Sequence, residues 1–459
     1  MYEPSDFQLP MLRYLRENDY AAFFASMGSR KTATTLYHSV MMDYKVLVIC
    51  LKSNIKTWCD ELEKYFPTET YTPIFGTSDK KIKLLEEDTR FHIVNYDGVK
   101  RTGKLKSNRS VYDAFRTKAD RYDLVIMDEC YEVSNHKSAR FKDIRRVIED
   151  IPRRIIMDGE PTAEGIQKLF GQFLMVDGGM TFGRDWYAFM RKYFYQPTNL
   201  PFPKWVERPS ASKVINKLLR TRAFVFTEDD LRNTAGLPDK LAYAIETKMK
   251  PKQKKMYTEI KKEWRIGDLD LKYTMEQISK GRQLLDGFIY MEDEVMRIPS
   301  EKEAVLERLL ETKLKHKKKI VIFGAFRESL KIIAEVCDKL GRGSVLYYGG
   351  LSMSEQTYAL EAFKDDAEIE VFICQGSCGV GLNELVVSNV AIYYSNTDKR
   401  RDRAQSEKRV ERPTQKADLV YVFDLVTPKS YDSIIYKRLQ DKRSRSMMLL
   451  RPKDVYHGT

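Results

Sequence analysis

No C-x-x-C pair occurs among the six scattered cysteines (Cys50, Cys59, Cys130, Cys337, Cys374 and Cys378), and only five histidines accompany them. That spacing speaks against a zinc site and a disulfide framework, and leaves buried free thiols as the expectation. A run of about 18 apolar residues is also missing, so no membrane-spanning helix is predicted. The opening MYEPSDFQLP lacks the basic-then-apolar layout of a secretory leader, which points to a cytoplasmic protein. Low-complexity tracts and short-period repeats are absent as well. Acidic charge is in deficit: 66 Asp and Glu face 79 Lys and Arg, for a net charge of +13. Such a balance favours a polyanionic partner, nucleic acid or an anionic membrane. What the chain does have is length and apolar mass, 459 residues at 42% hydrophobic, which is too much for one core and predicts two or three domains.

Two regions repeat one grammar of a β-branched run, a turn and a helical pattern, the mark of βαβ units and a parallel sheet. In the first the runs are YAAFFA (20–25), KVLVICL (45–51), FHIVNY (91–96), DLVIMDE (123–129) and RRIIMDGE (153–160). In the second they are KKIVIFGAF (318–326), SVLYYGG (344–350), EVFICQG (370–376), VAIYYSN (390–396) and LVYVFDLV (419–426). Between them the grammar changes. The stretch 182–208 is dense in aromatics and in Arg and Lys, and PKQKKMYTEIKKEW reads as an amphipathic helix. A helical insert or linker is expected there. Its aromatics, Trp186, Tyr187, Phe189, Tyr193, Phe194 and Trp205, read as a small core of that insert or as a platform for bases.

Glycine is scarce where a phosphate loop would want it. Residues 23–40 read FFASMGSRKTATTLYHSV, and the pattern G-x-x-x-x-G-K-[ST] would end on Lys31 and Thr32 with Ala25 and Arg30 in its glycine positions. Strand, tight turn and helix N-terminus nonetheless aim backbone N–H groups at an anion. Gly28 permits the turn, Lys31 would reach the β- and γ-phosphates, and Thr32 would hold Mg²⁺. In VIMDECYEVSN a strand ends on Asp128 and Glu129, a pair suited to one carboxylate on a metal and one on an attacking water. In QSEKRVERPTQK (405–416), Arg409 and Arg412 stand three apart, which on a helix puts both guanidiniums on one face, as arginine fingers require.

Taken in order, these segments resemble the superfamily 2 helicases, and among them the Swi/Snf-type translocases, compact phage-encoded branch-migration helicases of T5-like phages included. Phe7-Gln8 resembles the adenine-reading glutamine region, SMGSRKT motif I, VLVICLKSNIKTWCDELEKYF (46–66) motif Ia with its "W-x-x-E" helix, and VNYDGV (94–99) motif Ic. DECYEVSN is similar to motif II, MDGEPTAEG (157–165) to the "TGTP" motif III, and LPDKLAYAIETKMKPKQKKMY (237–257) to the "LPxK…Q…Y" bridge. KIVIFGAF and YYGGLS resemble the opening of the second motor domain and motif IV, and GVGLN (379–383) resembles motif V. Gln405, Arg409, Arg412 and Gln415 fall on "QxxxRxxRxxQ" of motif VI.

The resemblance implies an α/β fold of two tandem RecA-like domains, parallel sheets with helices on both faces, joined by a helical insert or linker. The expected boundaries are 1–175, 176–300 and 301–459. It implies ATP and Mg²⁺ in the cleft between the domains, whose closing and opening moves a DNA helicase or translocase along duplex or branched DNA. Gln8, Gly28, Ser29, Arg30, Lys31, Thr32, Gly379, Gly381, Asn383 and Gln405 would surround the nucleotide. Lys31, Asp128, Glu129, Arg409 and Arg412 would serve hydrolysis, with Thr32 and Asp128 on Mg²⁺. Lys52, Ser53, Asn95, Tyr96, Gly350, Gln375 and Ser377 would meet phosphates of the backbone, so binding would be sequence-independent and salt-sensitive. Replication or recombination proteins are implied as further partners, and the host cytoplasm as the location if the chain is phage-encoded. An RNA-dependent helicase and a scaffold with a decayed ATPase are the alternatives. The departures are Arg30 for glycine, Tyr131 for histidine and Glu160 for threonine, which bear on rate and coupling.

Overall fold

The computed structural model describes residues 2–101, 110–197, 205–264, 271–291, 294–376, 382 and 384–450. Its contacts divide it into two units, Met1–Ala235 and Gly236–Arg443. The first unit contains β1 (Tyr20–Ala25), β2 (Val46–Cys50), β3 (Tyr71–Ile74), β4 (Phe91–Asn95), β5 (Leu124–Met127), β6 (Arg153–Asp158), the short strands β7 (Phe194–Tyr195) and β8 (Val206–Glu207), and β9 (Ala223–Phe226). Seven of these form one sheet in the order β3-β4-β2-β5-β6-β1-β9, and every neighbouring pair is parallel.

Parallel sheets bury both faces, which is why the strands are continuous apolar runs rather than alternating ones. All five residues of β2, VLVIC, are buried, and so are all four of β5, LVIM. One face packs Ala22, Phe24, Leu47, Ile49, Val125 and Met127 against the helices that carry Phe115, Ile144, Val147 and Phe173.

The second unit contains β10 (Asp239–Glu246), the hairpin β11 (Phe288–Tyr290) and β12 (Val295–Arg297), β13 (Ile320–Gly324), β14 (Gly343–Tyr347), β15 (Ile369–Gln375), β16 (Val390–Tyr393) and β17 (Leu419–Val426). Its six-stranded sheet runs β10-β17-β16-β13-β15-β14, again parallel throughout. The period of two along a strand separates its two cores cleanly. Ile320 and Ile322 join Leu306, Leu330 and Ile333 on one face; Val321 and Phe323 join Ala359, Phe363 and Val410 on the other.

The interior of each sheet follows the sequence reading, and the additions lie at edges. The segment expected to be a helical linker supplies an edge strand to each sheet, β9 to the first and β10 to the second. Among the described residues no helix is long and apolar enough to cross a membrane.

Candidate functional site

Because the first sheet is parallel, the loops leaving β1, β2, β5 and β6 emerge at one edge, and those four strands are neighbours in the sheet. The C-terminal edge of such a sheet is where α/β proteins hold ligands. The loop after β1 turns at Gly28, with φ of 85°, and enters the helix Lys31–Met41 through Arg30 at φ 56° and ψ 35°. Arg30 therefore adopts the left-handed conformation that glycine adopts freely, at a strain of ~1 kcal/mol or more. Its guanidinium reaches Ser5 Oγ at 3.3 Å. The Lys31 ammonium donates to the Ala25 carbonyl at 2.7 Å and has no carboxylate partner among the described residues. Ser29 Oγ is buried in the same loop without a hydrogen-bond partner. Thr32, in the first turn of the helix, is half-buried.

Gln8 is fully buried and donates to Thr34 Oγ1 at 2.7 Å, while Thr34 Oγ1 donates to the Arg30 carbonyl at 2.9 Å. A hydrogen-bonded line thus joins the glutamine region to the phosphate-type loop. Gln8 Oε1 accepts from the Ser5 backbone at 3.0 Å, so its carboxamide is engaged inside the unit.

Asp128 and Glu129 follow β5, and Glu129 is left-handed with φ of 53°. Both are buried. Asp128 Oδ2 accepts from Asn54 Nδ2 and from Trp58 Nε1, each at 3.2 Å, and Oδ1 accepts from the Glu129 backbone at 3.0 Å. Burial and the adjacent Glu129 push the Asp128 carboxyl up to about 6, against the pull of Lys31. Nearby Glu61 is driven by burial up to about 7, with Arg30 and Lys64 opposing, and its Oε2 is buried without a partner. Two buried carboxyls near this loop are thus held above the ordinary carboxylate range.

Residues that sequence reasoning did not single out hold this arrangement. Asn54 and Trp58 orient Asp128 from the segment after β2; the "W-x-x-E" helix is their signal in the sequence. Tyr96, expected at the nucleic acid, is only 2% exposed, and its hydroxyl donates to the Asp128 carbonyl at 2.7 Å. Its side chain braces the carboxylate loop instead. Asp158, at the end of β6, accepts from the Tyr131 backbone at 3.0 Å and the Glu160 backbone at 2.9 Å, tying together the loops after β5 and β6. Lys52 and Ser53 are exposed at the same edge and Asn95 is half-buried.

In the second unit Gly350 is exposed after β14 and Gln375 ends β15 half-buried; Gln375 Nε2 donates to the Ala325 carbonyl at 3.3 Å. Ser377, Gly379, Gly381 and Asn383 lie outside the described residues. The helix Arg400–Val410 carries Gln405 and Arg409, both buried. It stops before Arg412, so the one-face argument for Arg409 and Arg412 does not hold. The reason is local: Pro413 follows, and a residue before proline is disfavoured in the helical region. Arg412 Nε donates to the Lys408 carbonyl at 3.0 Å, and burial draws its guanidinium down to about 10, Glu384 opposing.

The donor set at the first unit's sheet edge fits a magnesium nucleotide. It offers an orphaned buried hydroxyl, a lysine resting on a carbonyl, first-turn amides without intrahelical partners, and buried carboxylates that a cation would relieve. Among the described residues no three metal-type ligands cluster, so an ion held by Thr32 and Asp128 would share its shell with phosphate oxygens and water, as Mg²⁺ does.

A parallel α/β unit with this loop and carboxylate pair, followed by a second parallel α/β unit, is a tandem RecA-like architecture. The SNF2-related domain model matches residues 12–319, and the helicase conserved C-terminal domain model matches residues 301–414. The chain belongs to the SNF2-related family. It is similar to the DNA repair and recombination protein RAD54 of Saccharomyces cerevisiae, 22% identical over 89% of this chain and 50% of that protein. It is also similar to the putative protein p41 of Acyrthosiphon pisum secondary endosymbiont phage 1, 20% identical over 98% of each. Among solved structures, the Sulfolobus solfataricus SWI2/SNF2 ATPase core in complex with dsDNA is 20% identical, covers 98% of this chain and 93% of its own, and has a TM-score of 0.44. The chain spans about half the length of RAD54 or less of other cellular relatives, and nearly all of the phage protein.

Proposed function

We propose that this chain is an ATP-hydrolysing motor that works on DNA, with duplex or branched DNA as its substrate. The observation that carries the reading is the unfinished polar site at the C-terminal edge of the first sheet: Lys31 on a carbonyl, Ser29 Oγ without a partner, and Asp128 and Glu129 buried side by side. Family membership supports it, as do the net charge of +13 and a relative named for DNA repair and recombination.

Bound Mg²⁺ would neutralise charge on the phosphate oxygens. The chain's own residues do the rest. Lys31 exchanges the Ala25 carbonyl for phosphate oxygen, and the amides of the loop and first helical turn receive the remaining charge. Asn54, Trp58 and the Glu129 amide fix the Asp128 carboxylate so that it meets the cation without rearranging. Glu129 orients a water for attack and accepts its hydrogen bond. Arg409 and Arg412 are the arginine-finger candidates.

The test is phosphate release by the purified chain with ATP and Mg²⁺, alone and with blunt duplex, forked DNA, single strands or RNA. At least tenfold stimulation by DNA, and little by RNA, is expected. Equal rates with and without every nucleic acid would overturn the reading.

A further inference from the structure

The aromatic and basic stretch that follows the first sheet splits into two populations. Phe189, Met190 and Tyr193 of the helix Trp186–Tyr193 are buried. Phe189 packs on Phe170 at 5.3 Å and on Phe182 at 5.4 Å between ring centroids. These rings are core, as the apolar spacing of the helix requires. The remainder face outward. Tyr187 is 55% exposed and Tyr195 is 40% exposed; Arg191, four residues after Tyr187 on the helix, is exposed on the same face, and Lys192 is exposed beside it with its Nζ 5.3 Å from the Tyr193 centroid.

Each exposed ring has a cation beside it. Lys137 Nζ stands 5.5 Å from the Tyr187 centroid, and the Arg208 guanidinium stands 6.0 Å from the Tyr195 centroid. Arg208 also donates to the Arg191 carbonyl at 3.3 Å, which links the helix to the short β7–β8 pair. None of these four cations has a carboxylate ion-pair partner among the described residues. The acid at the helix start, Asp185, is occupied in capping: it accepts from the Tyr187 backbone at 2.8 Å. The face is therefore positive and presents two exposed rings, each beside a cation.

We infer that this face binds an unpaired DNA strand, its cations on the phosphates and Tyr187 and Tyr195 under successive or nearby bases. Charge alone would suit any polyanion. The rings decide in favour of an unpaired strand, because a duplex keeps its base faces stacked inside, whereas a single strand offers one on every nucleotide. Arg191 and Lys192 supply a sequence-independent grip. The inference rests on the DNA reading above and deepens it: the face distinguishes a branched or tailed duplex from a blunt one.

The experiment compares the full-length wild type with Tyr187→Ala/Tyr195→Ala, Tyr187→Phe/Tyr195→Phe and Arg191→Glu/Lys192→Glu. The probes are a blunt duplex, the same duplex with a single-stranded arm carrying 2-aminopurine, and an oligo(dT) strand, with an RNA strand as a further arm. Wild type should bind the tailed duplex more tightly than the blunt one and quench the 2-aminopurine. The alanine pair should lose roughly tenfold in affinity for the arm and for oligo(dT), together with the quenching, while blunt-duplex-stimulated hydrolysis stays unchanged. The phenylalanine pair should restore both, and the glutamate pair should weaken the arm and flatten its salt dependence. Binding of the arm by the alanine pair at wild-type strength would overturn the inference, as would an equal loss on blunt duplex or a preference for RNA over the DNA strand. If wild type hydrolyses ATP on blunt duplex yet gains nothing from the arm, the inference alone fails. If no DNA stimulates hydrolysis, the reading beneath it fails as well.

Discussion

In the first unit Lys31 rests on a backbone carbonyl at 2.7 Å, Ser29 Oγ has no partner, and burial lifts the Asp128 carboxyl to about 6. In the second unit three enclosed cations lie on carboxylates: Lys302 on Asp286 at 2.9 Å, Lys240 on Glu411 at 2.8 Å, and Arg403 on Glu407 at 2.7 Å and on Asp424. These two groups, built on sheets of the same parallel design, thus treat charge in opposite ways. A charge completed by its own chain holds a shape, and removing one member leaves the other buried and uncompensated. A charge left incomplete has a use for a ligand, and the fold carries its cost until the ligand arrives. The left-handed backbones of Arg30 and Glu129 stand in the same two loops, and strain of this sort persists where the surroundings impose it.

Substitutions should separate the two kinds. The largest effect is expected in the second unit, where Arg403→Ala strands Asp424 and should cost about 3–5 kcal/mol in denaturant unfolding. Removing both charges together with Arg403→Met/Asp424→Leu should recover most of that loss, and failure to recover would show that the pair does more than satisfy itself. Next comes Lys31→Ala, expected to lower the hydrolysis rate roughly 10²–10³-fold, as loss of an electrostatic contact to reacting charge does, with circular dichroism and unfolding midpoint close to wild type. A large loss of stability would place Lys31 with the structural charges instead.

Asp128 gives a smaller and pH-dependent effect. Its carboxyl binds a proton more tightly in the fold than in the unfolded chain, so its contribution to stability is complete below about pH 4 and is lost as pH rises through about 6. The stability difference between Asp128→Asn and wild type should therefore move in the variant's favour by roughly 1–3 kcal/mol between pH 4 and pH 8. A pH-independent difference would remove the buried-charge argument. The smallest effect is expected at Arg30, where glycine relieves the left-handed strain but loses the contact to Ser5. The two terms are each ~1 kcal/mol, so stability should change little while KM for ATP shifts a few-fold. Unchanged kinetics would show the position to be indifferent.

The interior strands were legible in the sequence because a parallel strand buried on both faces is a continuous apolar run, as VLVIC and IVIFG are. Of the two large sheets, the strands missed, β3, β9 and β10, all lie at sheet edges, where one side lacks a partner. In β3 the run is four residues with a proline, and in β10 most residues are exposed, so no such run forms. The loop residues Lys31, Thr32, Asp128 and Glu129 were legible as chemistry, and they do gather at one sheet edge. Asn54, Trp58 and Asp158 were not, because their roles are hydrogen bonds across neighbouring strands, which only the strand order β2-β5-β6 brings together. Tyr96 misled for the same reason: a tyrosine at a strand end reads as exposed until β4 is seen two places from β5. Arg412 misled because a spacing of three was read as helical, although Pro413 stands next to it in the sequence.

Titration calorimetry with ATP and Mg²⁺ on the wild type and on Lys31→Ala tests most directly whether the first unit is completed by a nucleotide. Saturable binding of one nucleotide per chain to the wild type, weakened at least tenfold in the variant, is the predicted result. Equal heats from the two proteins would contradict the account, because the unmet groups at the edge of the first sheet would then have no ligand to meet.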